Sequence, residues 1–263
     1  VSFVLGPALW IFILSILSKG VYGGYEFKLT ADNYKSILSW NYLIVFFRSL
    51  ELAAVTGLLT VAIGVFISWG IMSASEARRK WLLFLVCLPF LINLIIRVYA
   101  IRSFVGFDGP LQMILQKMGI EVDPFSFTSN VWLVYFGMVT SYLPFSILPL
   151  YASFNRFDFT VFEAAQDLGA GTHKAFFKVV LPNMKVPLLN SFVLVFIPAL
   201  GEYVIPDLLG GAKTMYLGNL MTEEFLKNRN WPTGAAIACI LIVMLFISIL
   251  ILRSVRKEGA HES

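Results

Sequence analysis

Six long apolar runs constrain this chain more than any other feature of its sequence. They cover 1–17, 44–72, 81–105, 130–154, 186–209 and 234–252. A bilayer-spanning helix needs about 20 mostly apolar residues. The first run is short for that purpose and the others are long enough. Lipid offers no water to free backbone N–H and C=O groups, so a spanning segment folds as a helix or as part of a closed barrel. A barrel strand is an alternating segment of about ten residues, whereas these runs are continuous. The expectation is an all-α, polytopic membrane protein with six transmembrane helices in one domain. Composition agrees: 58% of residues are apolar and 14% are charged, and the mean hydropathy is +0.79. A soluble fold of this size could not hide so much apolar surface.

The connectors between the runs set the orientation. Arg78, Arg79 and Lys80 crowd the second, and Arg156, Lys174, Lys178 and Lys185 lie in or beside the fourth. Arg253, Arg256 and Lys257 follow the last run. The first, third and fifth connectors are less basic per residue and carry Glu26, Asp32, Asp108, Glu121, Asp123, Glu223 and Glu224. Basic connectors stay in the cytoplasm, so both termini are expected inside a bacterial inner membrane. The same reasoning disposes of the net charge of +4. It is scattered over short connectors, and no nucleic-acid partner is expected. Cys87 and Cys239 sit within apolar runs as small hydrophobes, His173 and His261 are far apart, and no metal site is expected. The first residue is Val within an apolar stretch, so a short preceding cytoplasmic segment is expected, and no cleavable signal pattern is recognisable.

Two outer connectors show helical spacing: Leu111, Ile114, Leu115 and Met118 within 110–119, and Tyr216, Leu217, Leu220, Met221 and Phe225 within 210–231. The fourth connector, 155–185, is about 30 residues long, which is unusual for a bundle loop. Thr160 and Glu163 fit a capping box, and Gly169 suits a left-handed helix end. Thr172 can cap a second short helix that Pro182 closes. The segment therefore reads as helix, glycine turn, helix on the cytoplasmic face.

Glu163-Ala164-Ala165, three residues, Gly169, nine residues, Val179, one residue and Leu181-Pro182 resemble the EAA loop of bacterial ABC importer permeases, with Val179 in place of the usual Ile. The resemblance implies the MetI-like permease fold and makes Glu163, Ala164, Ala165, Asp167, Gly169, Leu181 and Pro182 the residues that couple to an ATPase. It also implies that this chain has no catalytic site and binds no cofactor, ATP and Mg being held by a separate ATPase dimer. The remaining partners it implies are a second, different permease subunit, a substrate-binding protein and the lipid bilayer. A narrower similarity links Asn93 to Tyr99, Glu163 to Pro182, Asp207 to Lys213 and Asn230-Trp231-Pro232 to the permease subunits of spermidine/putrescine importers, most of all to the first of the two. It implies a polyamine as cargo. Ferric iron, an amino acid or another solute is the alternative within the same class.

An ionisable residue inside a span costs about 2.5–3.5 kcal/mol on insertion scales, so each is a candidate for function. Glu202 lies in the fifth run between Pro198 and Pro206, which free backbone carbonyls and call for a protein or wet surrounding. At about 1.5 Å per residue a helix places it about 24 Å from the inner face, with Asp207 higher. Two carboxylates near a broken helix suit separated ammonium groups, and Tyr203 can add a cation–π contact. A pairing of Glu202 with Arg97 or Arg48 is the plainer reading. Arg97 is a candidate gate, although it and Arg102 can simply snorkel to the headgroups. Arg48 and Glu51, one helical turn apart, are expected to pair. Gly57, Gly64 and Gly70 are expected to let helices approach closely. Gly210 to Thr214 lacks the spacing of a phosphate-binding loop. A secondary transporter would need an inverted repeat or a proton relay, and an intramembrane enzyme a metal cluster or a Ser-His pair. Neither pattern is present.

Overall fold

The computed structural model describes residues 2–107, 109–120, 130–211 and 215–261. Asp108, Glu121, Asp123 and Lys213, read above as connector charges or loop residues, lie outside them, as do Ala212 and Thr214. The described chain is helical apart from one hairpin. In order it forms α1 (Ser2–Ser15), β1 (Leu17–Lys19), β2 (Tyr25–Leu29), α2 (Asp32–Ile37), α3 (Trp40–Met72), α4 (Glu76–Cys87), α5 (Leu94–Val105), α6 (Pro110–Lys117) and α7 (Val131–Phe154). These are followed by α8 (Thr160–Asp167), α9 (Thr172–Ala175), α10 (Leu181–Asn183), α11 (Lys185–Leu200), α12 (Val204–Leu209), α13 (Leu217–Thr222) and α14 (Trp231–His261). They make two compact units, one from Val1–Ala54, Leu94–Met138 and Ile197–Ile247, the other from Val55–Asn93, Val139–Phe196 and Ser248–Ser263.

Among the described residues, α3, α7 and the Trp231–Leu250 part of α14 are each long and apolar enough to cross a membrane. Only 39%, 50% and 33% of their most apolar windows are buried within the chain. The remaining apolar surface calls for lipid or a partner. The other runs are less regular than their hydropathy predicts. The run 81–105 is not one helix: α4 gives way to a 3-10 turn at Leu88–Leu91, and α5 starts at Leu94. Pro89 lies in that turn, where it has no N–H to offer an α-helical ladder. The run 186–209 is also divided, into α11 and α12. The first run ends sooner than expected, because Leu17 already belongs to β1.

In the first unit β1 and β2 pair antiparallel, with a bulge between Leu17 and Ser18. This hairpin is absent from the sequence expectation. Buried Asn33 secures it, its Nδ2 donating to Ser15 O at 2.9 Å and Leu17 O at 2.8 Å. Leu14, Leu17 and Ala235 form one small core, and Val45, Leu217, Leu220 and Ile237 another. Arg48 and Glu51 are both exposed and do not form the expected ion pair. In the second unit the Arg79 guanidinium donates to Met72 O at 2.7 Å, closing the C-terminal end of α3. This basic connector residue therefore has a structural partner, favourably placed at the negative end of a helix.

Close approach explains two of the three glycines of α3. A Cβ at Gly57 would lie 2.8 Å from the Phe192 ring, and one at Gly64 would lie 2.5 Å from Ser146 Oγ. Gly70 departs from the expectation, with no atom of the chain within 4 Å of such a Cβ. Gly64→Val is therefore expected to destabilise the purified protein by about 1–3 kcal/mol through overpacking, while Gly70→Ala leaves it unchanged. Unfolding midpoints in detergent check the contrast.

Candidate functional site

The fourth connector folds as helix, turn and helix, with different caps from those expected. Thr160 is not the N-cap of α8. Phe159 takes that position, and Thr160 is the first helical residue. The Asp158 carboxylate accepts the Thr160 hydroxyl at 2.7 Å and the Thr160 N–H at 3.0 Å. The Thr160 N–H, which a capping box would give to the Glu163 side chain, goes instead to this nearer carboxylate two residues upstream. The Thr160 hydroxyl, and then its N–H, hold the Asp158 carboxyl below its usual range. Glu163 is left exposed, its own N–H bonded to Phe159 O at 2.9 Å.

Gly169 ends α8 in the left-handed conformation, at φ +84°. Its N–H donates to Gln166 O at 2.8 Å, and the Ala170 N–H donates to Ala165 O at 3.0 Å. This pair of bonds is the Schellman closure, which uses up carbonyls that a helix end otherwise leaves free. A Cβ at Gly169 would meet nothing within 4 Å, so the backbone angle alone selects glycine here. Gly171, not Thr172, occupies the N-cap of α9. Thr172 Oγ1 instead accepts from Gln166 Nε2 at 3.1 Å, tying the two helices together. Pro182 does not close the second helix. The chain passes through a π turn at Phe176–Val180 and continues helical as α10 to Asn183. Pro182 lacks the N–H that would bond back four residues, and the wider turn directly upstream accommodates the missing rung. The direction then changes by 71° into α11.

The two sides of α8 differ. Phe162 is buried and Ala165 half-buried against the core of the second unit. Glu163, Ala164, Asp167 and Gly169 are exposed, as is Pro182. Val161 is 49% and Leu168 90% exposed. Val161, Ala164 and Leu168 thus form an apolar stripe bordered by the carboxylates of Glu163 and Asp167. The support beneath is Trp69 of α3. Its ring centroid lies 4.8 Å from that of Phe176, 5.4 Å from Phe162, 5.7 Å from Phe154 and 6.0 Å from Phe159. Leu181 packs on the same cluster. Sequence reasoning missed Trp69, although the density of Phe from 154 to 177 was an available signal.

The fifth run breaks at Gly201–Tyr203. Half-buried Glu202 accepts the Val204 N–H through Oε1 at 2.9 Å, capping the start of α12. Gly218 lies against this turn so tightly that a Cβ there would sit 2.6 Å from Gly201 O and 2.7 Å from Glu202 O. Tyr203 and Asp207 are exposed and share a cavity of about 410 Å³ with Asn219, Thr222, Glu223 and Lys227. Arg97 does not join them. It lines a separate, mostly apolar cavity of about 760 Å³ with Phe104, Asn130 and Trp132. Asn219 and Lys227 were missed as site residues, and Glu223 was read only as a topology charge.

The family described as "Binding-protein-dependent transport system inner membrane component" matches residues 60–257. The chain belongs to this family. The permease is 36% identical to the spermidine/putrescine transport system permease protein PotB of Haemophilus influenzae, over 95% of this chain and 88% of that protein. It is 32% identical to PotB of Escherichia coli strain K12, over 95% of this chain and 91% of the other. Among solved structures it resembles a chain of a bacterial alginate ABC transporter in complex with an alginate-bound periplasmic protein. The TM-score is 0.73 at 15% identity, over 95% of this chain and 87% of that one. The permease therefore has the all-α fold of an ABC importer permease and is a multi-pass inner-membrane protein.

Trp69→Ala is expected to cost the permease about 3 kcal/mol through loss of aromatic contacts, with Trp69→Phe recovering most of it. Hydrogen exchange should locate the loss in α8, α9 and the end of α3. A uniform loss across all helices would contradict a local support.

Proposed function

We propose that this chain is one of two permease subunits in an ATP-driven importer that takes a polyamine, spermidine or putrescine, from a substrate-binding protein. It spans the membrane six times with both termini in the cytoplasm, and it holds no ATP itself. ATP and Mg belong to an ATPase dimer on separate chains. The observation that carries the docking role is the exposed stripe of Val161, Ala164 and Leu168, held by the Gly169 turn above the Trp69 cluster. An apolar stripe edged by Glu163 and Asp167 suits a cleft in a partner protein, and small Ala164 permits close approach. Nucleotide binding draws the two coupling helices together. It thereby favours one of two arrangements of the spans, which is differential stabilisation and not force at a distance.

The polyamine assignment rests on the two PotB relatives, whose names carry that substrate, and on the chemistry at the break in the fifth run. Glu202, Tyr203 and Asp207 form the substrate path in this reading, with Arg97 as a gate residue beside it. α11 supplies a covalent link, since it begins at the coupling loop and ends two residues before Glu202.

Leu168→Glu and Gly169→Arg are each expected to weaken association with the co-expressed ATPase by about tenfold. Co-purification at matched expression measures this, and undiminished association in both variants would remove the docking role. Glu202→Gln keeps an oxygen to cap α12 but removes the charge. It should lower polyamine uptake into proteoliposomes by about tenfold while the complex still assembles. Stimulation of ATP hydrolysis by spermidine-loaded binding protein, but not by iron- or amino-acid-loaded ones, distinguishes the polyamine from its alternatives.

A further inference from the structure

The cavity beside α12 is lined in part by the chain's own ammonium-bearing residue, Lys227. Its Nζ lies 3.9 Å from Glu223 Oε1, with the Lys227 side chain 77% and the Glu223 side chain 32% exposed. A pair this long, with its lysine end in water, holds its partners weakly and exchanges readily. Both residues belong to a π turn, Glu223–Lys227, that continues α13. Such turns are uncommon and often accompany functional sites. The turn is firmly anchored. Neighbouring Glu224 is 6% exposed and accepts hydrogen bonds from Tyr42 Oη at 3.2 Å and Asn228 Nδ2 at 3.1 Å. The Leu217 N–H at the head of α13 donates to Ser49 Oγ at 2.7 Å. Two successive carboxylates therefore have different fates: Glu224 holds the segment in place, and Glu223 faces the cavity.

The rest of the lining selects for charge. The Asn219 Nδ2 donates to Tyr203 O at 3.3 Å and braces the wall of the cavity. The Thr222 hydroxyl spends its proton on Gly218 O at 2.9 Å, so it can only accept from a ligand. Asp207 adds a second carboxylate, and Tyr203 and Met215 add an aromatic face and an apolar wall. Acceptors and carboxylates beside apolar surface fit an ammonium group on an aliphatic chain, and they disfavour an anion.

We infer that this cavity is a subsite for one ammonium group of the cargo, and that Lys227 is a tethered competitor that occupies Glu223 until the cargo displaces it. Glu223 and Lys227 then set affinity in this subsite, and Lys227 keeps it weak enough for onward release. The flexible stem of Lys227 lets the displaced ammonium move into water without disturbing the backbone. This inference rests on the polyamine reading of the chain.

The test exploits a difference in sign. Breaking a merely structural ion pair from either side moves binding in the same direction or not at all. Competition requires opposite directions. In the assembled complex in nanodiscs, without binding protein, Lys227→Met should tighten equilibrium binding of radiolabelled spermidine by about two- to fivefold. Glu223→Gln should weaken it by a similar factor, and the double variant should resemble Glu223→Gln. Lys35→Met removes an exposed charge far along the sequence that pairs with Asp32, and it controls for a general change in field by leaving binding unaltered. Shifts of the same sign, no shift, or an equal gain from Lys35→Met would overturn the inference while wild-type binding stands. Absence of spermidine binding and uptake in the wild-type complex would instead overturn the polyamine reading, and this subsite with it.

Discussion

The helix, turn and helix that follow α7 depend on the contact between Trp69 and the aromatic rings around it. α8 and α9 are each too short to persist alone in water, because helix nucleation is costly and few bonds follow it. Packing makes up the deficit. Phe162 from α8, Phe176 from the turn after α9, and Phe154 and Phe159 from the end of α7 and its exit all meet one indole. The outward stripe of Val161, Ala164 and Leu168 follows from this arrangement. Once Phe162 and Ala165 are committed inward, helical geometry leaves those three residues on the other side. An apolar surface can thus stay exposed without collapsing onto its own protein.

A different device operates in the first unit. Lipid penalises unpaired backbone groups, yet the fifth run is interrupted at Gly201–Tyr203. Glu202 offsets part of this cost by accepting the Val204 N–H. Gly218 permits α13 to approach the exposed carbonyls within a distance that no side chain would allow. The break, its cap and the adjoining cavity form a single feature. Polar backbone is tolerated at depth where protein or a wet cavity surrounds it.

Much of this was legible in residue order, for identifiable reasons. Hydropathy marks the spans because burial in lipid needs only length and apolarity. Gly169 was legible because a helix end that turns sharply needs a positive φ. The caps were misread at Thr160 and Thr172 because several neighbouring groups can serve there, and at Pro182 because a wider turn can replace a helix stop. Asp158 takes the Thr160 N–H that a capping box would give to Glu163, and the π turn absorbs Pro182 where a helix stop was expected. The β1–β2 hairpin was not legible at all, since its strands are too short for an alternating pattern to stand out. Trp69 lies more than eighty residues before Phe154 in the chain, and no periodicity connects them.

Residue order by itself determined the solvent this protein requires, the number of apolar runs, and a connector of helix, glycine turn and helix. Each follows from composition over a short window or from the conformational limits of single residues. Tertiary structure decided which side of α8 stays exposed, that Asp207 shares a cavity with Glu223 and Lys227, and that Arg97 lies in another. Those outcomes depend on which distant segments pack together, and local physical chemistry does not encode that choice one window at a time.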